Sequence, residues 1–341
     1  MADFRSDTVT KPSPAMLEAI VKSNVGDDVF GEDPTVNELQ NQLADYFGME
    51  AALFMPSGAM SNQIGIKSHT QPGDEIIVEE DAHIFNYETA APAVISNVQV
   101  KTVKGKNGVL PLEDLPKYIR PNIYYMPHTR LICIENTHNR CGGTIYPIDE
   151  IEKLYNFTRD ENIILHLDGA RLWNAIVESG VSGKRYGELC DSVSVCFSKG
   201  LGAPVGSMLI GNKDFITRSR KWRKILGGGM RQAGIIASAA MFAFHNNIER
   251  LKEDHRRANY FANSISTLSK VSVDLESVQT NMVFVNISKT GLQPSEVVAQ
   301  LKQFNILVSV GTFDSIRVIM HLDISDEDVN NAISVFAKLY S

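Results

Sequence analysis

The sequence predicts an α/β fold, with a mostly parallel sheet covered by crossover helices and a smaller α+β unit after it. Three features predict it. Short, nearly continuously apolar β-rich runs alternate with segments of helical periodicity over most of the chain. That rhythm breaks after about His245, where a long polar helical stretch introduces strands and helices in a different order. The length of 341 residues is about twice that of a usual domain, enough for a large unit and a small one. The expected division is 1–245 for an N-terminal arm and a large α/β domain, and 246–341 for a small C-terminal α+β domain.

The elements follow from local pattern. Ala52–Met55, Glu75–Glu79, Val98–Val103, Leu131–Glu135, Ile163–Asp168 and Ser192–Phe197 read as strands, several of them apolar throughout as buried parallel strands are. Between them Pro34–Phe47, Ser61–Thr70, Asp149–Glu161 and Arg171–Ser179 carry apolar residues at helical spacing. In the last part Asn246–Leu268 reads as one long helix, with Pro294–Gln303 and Ser325–Leu339 as further helices. Val271–Glu276, Met282–Ile287, Ile306–Val310 and Ile316–Met320 read as its strands. There is no repeat, low-complexity tract or flexible linker, so a hinge rather than a tether is expected between the two parts.

Composition narrows the function. With 43% hydrophobic and 21% charged residues, the chain is not disordered, collagenous or a coiled coil. Lys and Arg number 33 against 40 Asp and Glu, and the net charge of −7 disfavours a nucleic-acid surface and points to small-molecule partners. No run approaches the roughly 18 apolar residues of a membrane span; the nearest, Gln232–Phe244, is short and rich in Ala, Gly and Ser. Met1–Thr10 has no apolar secretory core, so a cytoplasmic location is expected. Cys133, Cys141, Cys190 and Cys196 form no CxxC pair and read as thiols rather than disulfides or zinc ligands. No HExxH pattern or Walker-type phosphate loop occurs, and no metal is expected.

Three segments carry chemistry. The strand Ile163–Leu167 ends in Asp168-Gly169-Ala170-Arg171. An acid there either keeps a pyridine nitrogen protonated, so that the ring becomes an electron sink, or caps the helix that follows. The strand Ser192–Phe197 ends in Ser198-Lys199-Gly200-Leu201-Gly202. Lys199 is either a desolvated Schiff-base amine or a lysine leaving through a Gly-rich turn. The Gly200–Gly206 spacing does not match a dinucleotide fingerprint. Phe54-Met55-Pro56-Ser57-Gly58-Ala59 lies between a strand and a helix, where amides at Gly58 and Ala59 would meet a phosphate or simply join two elements. Gly227-Gly228-Gly229-Met230-Arg231 is an amide nest or a tight turn.

These segments, together with Phe4-Arg5-Ser6-Asp7-Thr8, Gly26-Asp27-Asp28-Val29-Phe30-Gly31, Glu135-Asn136-Thr137-His138-Asn139 and Gly227–Gln232, resemble the threonine aldolase family from residue 3 to about residue 323. The resemblance implies an aspartate-aminotransferase-like fold (fold type I) and the cofactor pyridoxal 5′-phosphate. It implies retro-aldol cleavage of L-threonine or L-allo-threonine to glycine and acetaldehyde, in a homotetramer built from catalytic dimers.

Residue by residue, the resemblance makes Lys199 the Schiff-base lysine, Asp168 the partner of the pyridinium nitrogen, and His83 the residue stacked on the ring and the candidate base. Gly58 and Ala59 would hold the phosphate, and Arg171 the phenolate side of the cofactor or the substrate carboxylate. Ser6 and Arg317 would grip that carboxylate, and Lys224 and Arg231 would reach the cofactor of a neighbouring subunit. The chain departs from the family at Phe30, where many members have Tyr, and at Ala59, where Thr is usual. It departs again at Tyr125, a substrate-side position where many have His, and at His128, where many have Arg. The rival reactions are β-elimination, transamination or racemisation on the same cofactor, and the rival class is a non-catalytic binder of it.

Overall fold

The computed structural model describes all 341 residues. The chain begins with a two-residue strand, β1 (Ala2–Asp3), and two helices, α1 (Pro14–Val21) and α2 (Pro34–Phe47). There follow β2 (Ala51–Met55), α3 (Gly58–His69), β3 (Glu75–Glu79), the short α4 (His83–Asn86), β4 (Gln99–Val103), β5 (Thr129–Glu135) and α5 (Ile148–Asp160). Next come β6 (Ile164–Gly169), α6 (Leu172–Ser179), α7 (Gly183–Glu188), β7 (Ser192–Cys196), β8 (Ser207–Gly211), α8 (Lys213–Ile225) and α9 (Gly234–Asn246). The chain closes with α10 (Leu251–Ile265), β9 (Met282–Asn286), α11 (Pro294–Lys302), β10 (Ile306–Leu307), β11 (Ser309–Val310), β12 (Ser315–Ile319) and α12 (Asp326–Tyr340).

Seven strands form one sheet in the order β2-β8-β7-β6-β5-β3-β4. The run β4-β3-β5-β6-β7 is parallel, and β8 is antiparallel to both its neighbours. The predicted α/β class is therefore correct, and each strand expected in this part of the chain exists. The sequence reading missed β8, whose five residues follow a Gly- and Pro-rich turn and give no crossover rhythm. It also missed α1, α7, α8 and α9. Of these, α9 is the Ala-rich apolar run, buried against the main core through Ala237, Ala239, Ala240 and Ala243.

Helix ends follow the expected chemistry. Asp33 caps α2 with its side chain on the Val36 amide, Pro34 opens the helix, and Gly48 closes it in the left-handed conformation at φ 62°. Helices α2 and α7 pack so closely that a Cβ on Gly187 would collide with the Phe47 carbonyl. Around that contact Tyr46, Phe47, Trp173 and Phe244 form an aromatic knot with centroids 5.3–5.9 Å apart.

The second core lies behind the antiparallel β11-β12-β9 sheet and is built on Phe261, Val283, Ile316, Phe336 and Tyr340. Ala2 and Phe4 of the N-terminal arm belong to it as well. β1 pairs in parallel with β10, and the Ile319 amide donates to the Phe4 carbonyl at 2.9 Å.

Three expectations fail here. The predicted strand Val271–Glu276 is only a single bridge from Ser272 to Asn286, because the Asp274 carboxylate takes the Glu276 amide and starts a 3-10 turn. The predicted helix Asn246–Leu268 is broken: α9 ends at Asn246 and α10 starts at Leu251, while Asn247 donates to the Leu201 carbonyl at 2.7 Å. The predicted strand Ile306–Val310 is divided between two sheets at the buried Val308.

Under the large sheet lies a neutral histidine pair. His166 Nδ1 and His69 Nε2 meet the Ser192 hydroxyl at 2.8 and 2.7 Å, and the His69 ring stacks on Phe215 at 4.1 Å. Burial pushes the His166 pKa down to about 4 and the His69 pKa well below its ordinary value. A depressed histidine is neutral when folded and takes a proton on unfolding, so its stabilising contribution is complete above pH ~6.5 and lost as pH falls towards 4. Melting temperatures across that window should show His166 alone contributing about 3 kcal/mol of acid sensitivity. H166N should flatten the curve, and an unchanged slope would contradict this account.

Candidate active site

The C-terminal ends of β5, β6 and β7 converge, with Glu135 opposite Asp168 and Asp168 opposite Ser194 in the strand register. Ligands on open parallel sheets bind at this edge. A cavity of about 170 Å³ sits there, lined in part by Gly58, Ala59, His83, Asp168 and Lys199. Tertiary folding thus gathers five of the predicted site residues from four separate segments. A larger open hollow of about 890 Å³ between residues 104–118 and 144–153 has no buried acid or nucleophile on its wall.

Asp168 is 1% exposed and has no Lys, Arg or His partner within salt-bridge distance. Its oxygens accept from the Asn62 amide at 2.8 Å and from the Ala170 backbone at 3.1 Å. It does not cap the following helix, whose N-cap is Arg171 without a side-chain bond. Asn62 is held in turn by the Ser194 hydroxyl at 2.6 Å.

Lys199 lies just beyond β7, its Nζ 3.7 Å from Cys196 Sγ and its carbonyl 3.3 Å from the Thr10 hydroxyl. Ser57 caps α3 by accepting from the Met60 amide, which leaves the amides of Gly58 and Ala59 at the positive end of a 12-residue helix. Gly58 must be glycine because a Cβ there would sit 2.5 Å from Cys196 Sγ.

His83 opens α4. Its amide donates to Glu135 Oε2 at 2.8 Å, and its Nδ1 lies 3.0 Å from Glu88 Oε1. Burial lowers its pKa, but Glu88, Asp168 and Glu135 outweigh that and raise it overall. Behind Glu135, His138 is pushed up to about 11; burial opposes this and the neighbouring Glu135 and Glu79 carboxylates drive it. Its Nε2 stands 3.2 Å from Glu79 and 3.9 Å from Glu135.

Two guanidinium groups stand beside the cavity in different states. Arg171, 6% exposed, gives Nε and Nη2 to Asp7 at 2.8 and 2.6 Å, a bidentate buried pair. Arg171 is thus committed to Asp7, and the contact expected of it with cofactor or substrate is left to its remaining nitrogen, Nη1. Arg317 is held only by neutral oxygens, Asn139 Oδ1 at 2.8 Å and the Arg5 carbonyl at 3.2 Å, and its Nε has no partner. Burial, with Arg171 nearby, pushes its pKa down to about 10. A desolvated cation with no anion paired to it suits a carboxylate ligand. Ser6 caps the turn that carries Asp7 and accepts from Thr8.

Six predicted residues do not line this cavity: Ser6, Arg171 and Arg317, described above, and Tyr125, Lys224 and Arg231. Tyr125 is 66% exposed on a loop and packs edge-on against Tyr124. Lys224 lines a separate hollow with Arg220 and Lys221. Arg231 pairs with Asp27 and lies over the Phe30 ring. The sequence reading in turn missed Asp7, Asn62, Glu88 and Glu135 as site residues. Asn62 carried a usable signal, one turn into the helix after the Ser-Gly corner, whereas nothing local marks Glu88.

The donors fit pyridoxal phosphate. An amine, helix-terminal amides, an imidazole and a buried carboxylate that lacks a cation all face one small cavity. Such a carboxylate is stabilised by a protonated pyridine nitrogen.

The sequence pattern of the beta-eliminating lyases matches residues 3–288. The low specificity L-threonine aldolase of Escherichia coli strain K12 is 42% identical over 330 residues, 96% of each chain. The low-specificity L-threonine aldolase 1 of Arabidopsis thaliana is 40% identical over 341 residues, covering 98% of this chain and 95% of the relative. The solved threonine aldolase of Leishmania major superposes over 100% of both chains with a TM-score of 0.86 at 19% identity, a likeness of fold.

Removing one partner of a buried pair strands the other charge, so D7A should cost about 3–5 kcal/mol in chemical denaturation. The double variant D7L/R171M should recover much of that loss. Additive losses would mean that Asp7 and Arg171 are not coupled.

Proposed function

This chain belongs to the beta-eliminating lyase family, among its threonine aldolases, and from that premise we propose that it cleaves L-threonine, L-allo-threonine or both to glycine and acetaldehyde. The observation that carries the reading is the buried, cation-free Asp168 facing Lys199 across one cavity. Lys199 would hold the aldehyde carbon of pyridoxal phosphate, Asp168 its ring nitrogen, His83 its face, and the amides of Gly58 and Ala59 its phosphate. The bound cofactor supplies an electron sink for the pair released when Cα–Cβ breaks.

The protein's part is placement and proton transfer. Arg317, the one of the two guanidinium groups without an anion, takes the substrate carboxylate, with Ser6 at the end of the same arm. That grip fixes which bond on Cα stands ready to break. His83 Nε2 has no protein partner and accepts the β-hydroxyl proton, directly or through a water. With the cofactor held as above, loss of the hydroxyl proton to His83 would let Cα–Cβ break and acetaldehyde depart, and a proton returned to Cα would complete glycine.

Other properties follow the same reading. The two cores support a large unit over 1–245 and a small one over 246–341. Exposed Ile225 and Ile235, on the segments that carry Lys224 and Arg231, and exposed Phe30, whose ring Arg231 covers, suit a subunit face of a homotetramer of catalytic dimers. No helix is long and apolar enough to cross a membrane, and four free cysteines suit the reducing cytoplasm. The role would be threonine catabolism and glycine formation.

The test is incubation with each threonine diastereomer while acetaldehyde is followed through a coupled dehydrogenase. Acetaldehyde equimolar with glycine is expected, and K199A should abolish both turnover and the visible cofactor band. A keto acid with ammonia instead of glycine would establish β-elimination in its place. R317L should raise KM by about 100-fold, as loss of a charge-assisted pair predicts, with a smaller change in kcat. Equal KM values would remove Arg317 from the carboxylate site.

A further inference from the structure

Glu88 is a buried acid for which neither the sequence motifs nor the reaction above has a role. It is 5% exposed, on the wall of the cavity that holds His83 and Asp168. Its two oxygens take three donors: Asn62 Nδ2 at 2.9 Å and His83 Nδ1 at 3.0 Å on Oε1, and Gln63 Nε2 at 2.5 Å on Oε2. No Lys or Arg pairs with it.

The backbone is strained to put it there. Thr89 and Ala90 follow at φ 56° and 54°, two consecutive left-handed residues of which neither is glycine. Such a turn persists only where its surroundings over-determine it.

We propose that Glu88 is the positioning residue of the reaction, holding His83 with Nδ1 protonated and Nε2 turned to the cavity and so setting how readily His83 accepts the substrate proton. This rests on the aldolase reading above. An ionised carboxylate can only accept, so its partner nitrogen must carry the hydrogen, and the unprotonated nitrogen of the neutral ring is then Nε2. The same Asn62 amide that donates to Glu88 also donates to Asp168 at 2.8 Å. Asn62 therefore ties the base and the acid of the electron sink into one rigid frame, with Ser194 fixing its carbonyl end.

Other groups also face His83. An Asp168 oxygen lies within 4.8 Å of a His83 ring nitrogen, Glu135 accepts the His83 amide and is itself paired to His138, and Lys199 lines the same cavity. The Tyr87 ring stands 5.6 Å from the His83 ring, with Arg140 over it. Glu88 is the only one of these that touches a ring nitrogen of His83.

E88Q keeps the shape and removes the charge, and the new amide finds an acceptor in Gln63 Oε1, which has no partner in the wild type. In the holoenzyme, C2 hydrogen–deuterium exchange of the His83 peptide, read by mass against pH, should show a midpoint lower by about one pH unit in E88Q. The acidic limb of the kcat profile should move down by the same amount, with plateau kcat reduced on the order of tenfold and little change in KM.

Should E88Q fail to fold, E88D retains the charge one methylene further away, and its midpoint should fall between neutral removal and wild type. An exchange midpoint that does not move overturns the proposal, and so does a moved midpoint with an unmoved kcat limb. A wild-type enzyme that gives no acetaldehyde, yet shows the exchange shift in E88Q, overturns the aldolase reading while supporting the coupling of Glu88 to His83.

Discussion

Asp168 is a carboxylate at the end of a buried parallel strand, with no cation beside it, and much of the site is arranged around that fact. Leaving a charge in the interior is costly unless hydrogen bonds and a counter-charge arrive together. Here the hydrogen bonds come from Asn62 and Ala170, and the counter-charge is left to a ligand. Asn62 can serve because Ser57 caps α3 and Gly58 opens it, which places residue 62 one turn in. Ser194, opposite Asp168 in the neighbouring strand, orients the amide. Helix start, strand register and site chemistry thus depend on one another.

The two guanidinium groups show the same economy with charge. Asp7 neutralises Arg171 completely, and nothing neutralises Arg317. Both partners reach the cavity through the N-terminal arm. Ala2 and Phe4 are built into the small core, Arg5 offers its carbonyl to Arg317, and Asp7 crosses to the large domain. A movement of the small core relative to the sheet would therefore be felt at both guanidinium groups through the same few residues. The arm ties the small core to the large sheet through the same residues that meet Arg317 and Arg171.

Much of this was legible before any coordinates. Several of the β-rich runs had to be buried strands because they are too apolar to face water, and all six predicted for this part of the chain join one sheet. Lys199 and Asp168 could be singled out because each is a charged residue at the end of such a run. The failures have local physical causes. Asp274 turned a β-like run into a 3-10 turn, and Asn247 drew the chain out of a helix to satisfy the Leu201 carbonyl. The strand β8 was invisible because five residues after a glycine turn carry no periodicity that distinguishes them from a loop.

The sequence by itself determined the fold class and, through the family resemblance that its motifs carry when read in order, the cofactor chemistry, and it marked Lys199 and Asp168 as the candidate amine and acid. Only the tertiary structure decided which charges are neutralised. Asp7 meets Arg171 across 164 residues, and Asn62 meets Asp168 across 106. Whether an arginine is free to bind a carboxylate depends on a partner that may be anywhere in the chain. Local pattern carries no record of that pairing, and burial, which gives it its energetic weight, exists only once the chain has folded.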